Sequence, residues 1–294
     1  MAKRFEGVYS ALMSVYDENL KVKKDTVRKL VKYQLDGGVK GFYVQGNTGE
    51  CMVLPNRTRM EMMEAVLEEA NHGEIIAHVG AVRWEDTLEL IRHANAIGVD
   101  AIASLPPALG AYNYNEQNIM NYYQKLAELS DAPVLAYITP VYKGDVVKFA
   151  ENLMKIDNIC GIKLTIPNYY NFERIIHCNP GINVLNGPDE SLLAALVMGA
   201  DGGIGTSYNI LPANITKVYD EFKKGNFAAA LAAQSKQNTL IEDALKSSIG
   251  LAYWKAYLTV LGFDMGYTVF PSSAPTAEDY KRIEGVLRQI EEIK

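Results

Sequence analysis

Short runs of β-branched and aliphatic residues alternate along this chain with longer stretches whose apolar positions recur at helical spacing. The runs are residues 7–15, 41–45, 75–81, 101–105, 134–139, 160–165, 182–186 and 203–206. Several are nearly continuous in apolar residues, as expected of parallel strands buried on both faces. The helical stretches between them are 25–35, 56–71, 85–97, 116–129, 145–155, 171–177, 190–198 and 213–223. In the second, Met60, Met63, Leu67 and Ala70 fall on one face. Eight strands each followed by a helix is the count of an α/β (β/α)8 TIM barrel. An open doubly wound sheet also alternates strand and helix. The barrel is favoured because the eight units fill residues 1–225 without a composition break, and no G-x-G-x-x-G follows the first run. Residues 226–294 contain no clear strand, and 227–246, 248–261 and 277–293 read as helices. They predict a C-terminal helical extension packed on a barrel that carries the active site.

Composition narrows the class. Of 294 residues, 48% are apolar and 22% charged, which argues against a disordered chain. The net charge of −6 and the lack of a basic patch argue against nucleic acid as a partner. No apolar stretch is long enough for a membrane span, and the N-terminus lacks the apolar core of a signal peptide. Cys51, Cys160 and Cys178 are an odd set without paired spacing, so a reducing cytoplasm is expected. His72, His78, His93 and His177 form no local metal pair. Ligands drawn from distant strands, His78 among them, leave a metal-dependent aldolase or isomerase as an alternative.

In such a barrel the chemistry sits at the C-terminal ends of the strands. Lys163, in Gly161-Ile162-Lys163-Leu164-Thr165, shares a strand face with Gly161 and Thr165. An ammonium loses its water shell in a buried strand, which favours the neutral, nucleophilic amine. Lys163 is thus either a Schiff-base nucleophile in the barrel mouth or a strand-end lysine reaching for solvent. Tyr137, on the preceding strand, is either a proton relay to that chemistry or a core tyrosine. The turn Gly46-Asn47-Thr48-Gly49-Glu50 exposes amides that, with the Thr48 hydroxyl, suit a carboxylate or phosphate. In Asn186-Gly187-Pro188-Asp189-Glu190, Asp189 either caps the next helix or joins Glu190 in presenting carboxylates to sugar hydroxyls. The eighth unit, residues 199–209, is too rich in glycine for an ordinary strand and allows close backbone approach.

Four motifs together resemble one family, the pyruvate-dependent class I aldolases that include N-acetylneuraminate lyase and dihydrodipicolinate synthase. They are G-x-T-G-E at 46–50, tyrosine-x-x-proline at 137–140, G-x-K-x-T at 161–165 and G-A-D-G-G-I-G at 199–205. The resemblance spans nearly the whole chain. It implies that Lys163 forms a Schiff base with the keto carbon of pyruvate or a 2-keto acid. It implies Tyr137 as proton shuttle and the Asn47-Thr48 turn as carboxylate seat. It further implies no metal or cofactor, a small sugar acid or 2-keto acid as partner, and a homo-oligomer, commonly a tetramer.

The synthase branch usually carries an arginine shortly after the tyrosine strand; here that stretch has Lys143 and no arginine. The neuraminate lyase branch is matched better at Phe42-Tyr43-Val44, at residues 76–80, at 186–190 and at 203–209. It implies that Thr165, Gly187, Asp189, Glu190 and Thr206 contact a polyhydroxyl tail. This chain departs from the family at Asn47, where serine or threonine is usual, and at Ile138, where many members have asparagine. It is also more apolar at Leu164 and Ile166. It lacks the tyrosine of the Pro107-Ala108-Leu109-Gly110 loop, for which Tyr112 or Tyr114 is the substitute. These departures keep two alternatives open: another 2-keto-3-deoxy sugar acid as substrate, or a non-catalytic sugar-acid-binding relative.

Overall fold

The structure, a computed structural model, describes residues 5–106, 115–139, 142 and 144–292. Eight parallel strands close into a barrel in sequence order: β1 (Gly7–Ala11), β2 (Gly41–Val44), β3 (Glu74–His78), β4 (Ala101–Ser104), β5 (Val134–Ile138), β6 (Ile159–Leu164), β7 (Asn183–Asn186) and β8 (Gly202–Gly205). The open doubly wound alternative is therefore excluded. Helices α1 (Lys24–Asp36), α2 (Asn56–Glu69), α3 (Trp84–Ile97), α4 (Glu116–Leu129), α5 (Val146–Leu153), α6 (Tyr169–Cys178), α7 (Leu192–Val197) and α8 (Pro212–Lys223) follow the strands in turn.

Strand periodicity splits the core into two layers. Tyr9, Tyr43, Ile76, Ala103, Leu135, Leu185 and Ile204 pack inside the barrel. Val8, Phe42, Val44, Ala77, Ala136, Ile162 and Leu164 face outward into the layer under the helices. Pairing of β5 with β6 steps at Val134/Leu135, where β6 carries the extra residue Cys160, and from there Tyr137 pairs with Lys163. The glycine-rich eighth unit does form a strand. A Cβ on Gly202 would stand 1.8 Å from the Gly7 carbonyl oxygen, so the missing side chain is what lets β8 close against β1.

Two helical expectations shift. The seventh helix, expected over 190–198, is a 3-10 turn at Asp189–Ser191 followed by α7, because the Asp189 carboxylate is engaged elsewhere and caps nothing here. The helix expected from 248 begins later, as α10 (Leu251–Val260), because Gly250 stands at φ +55°. With α9 (Phe227–Leu245) and α11 (Ala277–Gln289) it completes the C-terminal segment. Asp243 of α9 holds that segment together: its carboxylate accepts the hydroxyls of Tyr253 (2.7 Å) and Tyr257 (2.6 Å) on α10 and pairs with Arg282 of α11 (3.0 Å). Among the described residues no helix is long and apolar enough to cross a membrane.

Candidate active site

Lys163 lies one residue from the C-terminal end of β6 and faces the barrel interior, 6% exposed. Its Nζ stands 4.2 Å from the ring centre of Tyr43 and 4.4 Å from that of Tyr137. The two rings meet edge to face at 6.3 Å. Among the described residues no carboxylate lies within ion-pair distance of this amine; the faces of two phenol rings flank it, and the Asp189 carboxyl acts on it from farther off. The alternative of a lysine reaching for solvent is not what the fold builds.

Tyr137 is held from behind. The Tyr123 hydroxyl on α4 accepts the Tyr137 N–H (3.1 Å) and donates to the Ser104 carbonyl (2.8 Å). This ties the ends of β4 and β5 together beside the lysine. Tyr43 was quoted in the sequence only as part of a motif; its inward position follows from the two-residue period of β2. Its buried hydroxyl has no partner among the described residues, and burial holds its pKa well above the ordinary phenol value. His78 stacks near Tyr43 at 5.9 Å. Its Nε2 accepts the Leu105 N–H (3.1 Å), and Arg59 donates to its carbonyl (2.8 Å). Burial, then the Arg59 charge, push the imidazole well below its usual pKa. No group of three His, Cys, Asp or Glu side chains suited to a metal occurs among the described residues.

The 46–50 turn stands at the mouth, beyond the end of β2. The N–H groups of Asn47, Thr48 and Gly49 have no protein acceptor among the described residues, which makes a row of free donors. The Thr48 hydroxyl shares a hydrogen bond with that of Thr206, 2.7 Å away. Asn47 is exposed and its side-chain oxygen accepts the Cys51 thiol at 3.6 Å. The asparagine carbonyl is thus turned toward its own turn.

Thr165 and Asp189 follow the ends of β6 and β7. Thr165 Oγ1 is buried without a partner among the described residues, and a Cβ on Gly187 would fall 1.8 Å from it. Asp189 lies against Gly205, and its carboxylate accepts the Ser207 N–H at 2.5 Å. Burial pushes this carboxyl up to about 6, against the pull of its bonds from Ser207. Glu190 is exposed at the rim. Helix α9 grips this loop: Gln234 donates to the Asp189 carbonyl (3.1 Å), Asn238 to that of Glu190 (3.0 Å), and Gln237 to the Ser207 hydroxyl (2.8 Å). Sequence reasoning missed these amides, since nothing in a helix repeat marks a glutamine as a loop clamp.

Three of the departures do not reach the site. Ile138, Leu164 and Ile166 are buried in the layer between strands and helices. Residues 107–114, Pro140 and Lys143, on which the loop, Tyr112, Tyr114 and the lysine-for-arginine readings rest, lie outside the described residues.

Comparison with known proteins gives the family and the fold. A family model described as the dihydrodipicolinate synthetase family matches residues 4–290. The N-acetylneuraminate lyase of Lactiplantibacillus plantarum is 32% identical over 276 residues, covering 92% of this chain and 93% of that relative. A solved Ruminococcus gnavus sialic acid aldolase, described as a catalytic lysine mutant, superposes with a TM-score of 0.92 at 27% identity, covering 99% and 97% of the two chains. A Clostridium difficile protein solved in complex with mannosamine gives 0.91 at 27% identity, covering 98% and 100%.

Proposed function

The chain belongs to the dihydrodipicolinate synthetase family, and we propose that within it the protein is a Schiff-base-forming lyase that cleaves N-acetylneuraminate to N-acetylmannosamine and pyruvate. The observation that carries the reading is Lys163: a buried amine over two tyrosine rings, without a counter-ion among the described residues, at the catalytic face of a barrel.

In this reading Lys163 Nζ adds to the C2 ketone of the open-chain sugar acid, and loss of water leaves a protonated imine. Tyr137 relays the proton away from the C4 hydroxyl as the C3–C4 bond breaks. The electron pair of that bond flows into the iminium and gives an enamine, while C4 becomes the aldehyde of N-acetylmannosamine. The enamine takes a proton at C3, and water hydrolyses the imine to pyruvate and free Lys163. The iminium is the electron sink, so no cofactor or metal is required. The free amides of Asn47 and Thr48, with the Thr48 hydroxyl, hold the carboxylate. Thr165, Gly187, Asp189, Glu190 and Thr206 face the polyhydroxyl tail; the unpartnered Thr165 hydroxyl supports this, since an orphaned buried hydroxyl is costly until a ligand meets it.

The same reading makes the protein a cytoplasmic homotetramer. Three free cysteines and exposed Met52, Val53 and Val82 on neighbouring loops support it. Light scattering tests the subunit count.

The deciding experiment couples pyruvate release from N-acetylneuraminate to lactate dehydrogenase, with Lys163→Ala alongside. Release by the parent and none by the variant is expected. No release from the parent, with borohydride still trapping pyruvate on Lys163, would move the substrate to another 2-keto-3-deoxy sugar acid. No adduct at all would overturn the lyase reading in favour of a sugar-acid-binding protein.

A further inference from the structure

Lys255 is a second buried lysine, 4% exposed, and it belongs to α10, far along the chain from the barrel strands. Its Nζ pairs with Glu50 Oε2 at 2.7 Å, donates to the Tyr267 carbonyl at 2.8 Å, and lies 4.2 Å from the ring centre of Tyr16. The second Glu50 oxygen accepts the Tyr16 hydroxyl at 2.7 Å. Tyr16 is in turn tied to the C-terminal segment, because its carbonyl accepts the Tyr267 N–H at 2.8 Å.

Glu50 ends the turn that carries the free amides. It stands at φ +60°, a left-handed conformation that a residue with a Cβ adopts only where its surroundings impose it. Its N–H donates to the Asn47 carbonyl (3.0 Å), the Cys51 N–H closes on Gly46 (3.2 Å), and the Ser14 hydroxyl donates to the Gly49 carbonyl (2.8 Å). Ser14 holds the turn at Gly49, and the Glu50 side chain anchors its end to Tyr16 and Lys255, the only cation on Glu50 among the described residues. A charge pair is an expensive way to fill a buried site, since both ions surrender their water. Its attraction across 2.7 Å ties a strained turn to the C-terminal segment, which an apolar pair would not do by charge.

We propose that Lys255 is a positioning residue for the reaction: through Glu50 it fixes the 46–50 turn, and with it the seat of the 2-keto acid carboxylate. The C-terminal segment thereby acts on substrate binding without touching substrate. This inference rests on the lyase reading above.

The test compares parent, Lys255→Met, the double variant Lys255→Met/Glu50→Gln, and Tyr16→Phe. Half-saturating pyruvate for borohydride trapping on Lys163 is read beside KM and kcat for pyruvate release and beside thermal melting. In Lys255→Met, half-saturation and KM should rise about tenfold, with kcat changed far less. The double variant removes both buried charges, so its melting should recover while half-saturation stays raised. Tyr16→Phe deletes one hydrogen bond, keeps the ring under Lys255, and should raise half-saturation about threefold. Recovery of half-saturation together with melting in the double variant, or parental half-saturation in Tyr16→Phe, would reduce the pair to scaffolding and overturn the proposal. Failure of the parent to form any adduct would instead overturn the lyase reading, and the proposal with it.

Discussion

Two lysines of this protein are buried to nearly the same degree over tyrosine rings, and they differ in their polar partners. Lys163, 6% exposed at the end of β6, has aromatic faces and no carboxylate among the described residues. Lys255, 4% exposed on α10, has a ring, a carbonyl and the carboxylate of Glu50. Burial alone does not make an amine reactive. A lysine matched by a buried acid is tied into the fold. A lysine flanked by ring faces, with no ion-pair partner among the described residues, is left free to meet a ligand at the barrel mouth. The contrast also separates two regions of the chain: Lys163 sits on a barrel strand, and Lys255 sits on a C-terminal helix paired with a loop at the barrel mouth.

Exchanging each lysine for methionine sharpens the contrast most. Lys163→Met should lose turnover below detection, more than about 10,000-fold, while its denaturant midpoint stays at or above the parent's. Equal destabilisation at both positions would break the comparison. Next in size, Tyr137→Phe should lower kcat by about 100- to 10,000-fold and leave borohydride trapping of pyruvate on Lys163 intact, because the proton relay and not the amine is lost. Loss of trapping in that variant would make Tyr137 part of the nucleophile's setting.

On the structural side, Glu50→Gln should cost about 3–5 kcal/mol in urea unfolding, since it leaves the Lys255 ammonium buried without its partner. A change under about 1 kcal/mol would mean that the Tyr16 ring and the Tyr267 carbonyl suffice for that charge. The smallest effect concerns Asp189, whose carboxyl is pushed up from 3.8 to about 6 by burial. The folded state then binds a proton that the unfolded chain releases, so this group's contribution to stability falls as pH rises from about 4 through 6. Parent and Asp189→Asn should diverge across that window by on the order of 2 kcal/mol, the parent losing stability toward higher pH. Parallel pH profiles would show that solvent reaches the carboxylate.

Much of the site was legible before any coordinates. The strand period alone placed Lys163 with Thr165 and opposite Ile162, and the free amides of the 46–50 turn follow from its two glycines. The partner of Asp189 was not legible: the residue reads as a helix cap or as a carboxylate facing sugar hydroxyls, yet it accepts the Ser207 N–H, which only barrel closure brings near. The departures at Ile138 and Leu164 looked relevant because they flank Tyr137 and Lys163. A two-residue period sends neighbours to opposite faces, and both lie in the outer layer.

By itself the sequence determined the eight-fold alternation and the inward face of each strand, Lys163 included, because hydrophobic period and strand parity are local properties. The tertiary structure decided which groups meet. Tyr43 and Tyr137 flank Lys163 because a closed barrel converges three strands on one axis. Glu50 meets Lys255, 205 positions along the chain (255 − 50), because α10 packs beside the mouth of the barrel. Pairings at such separation depend on chain closure and packing, which leave no periodic trace in either partner's neighbourhood.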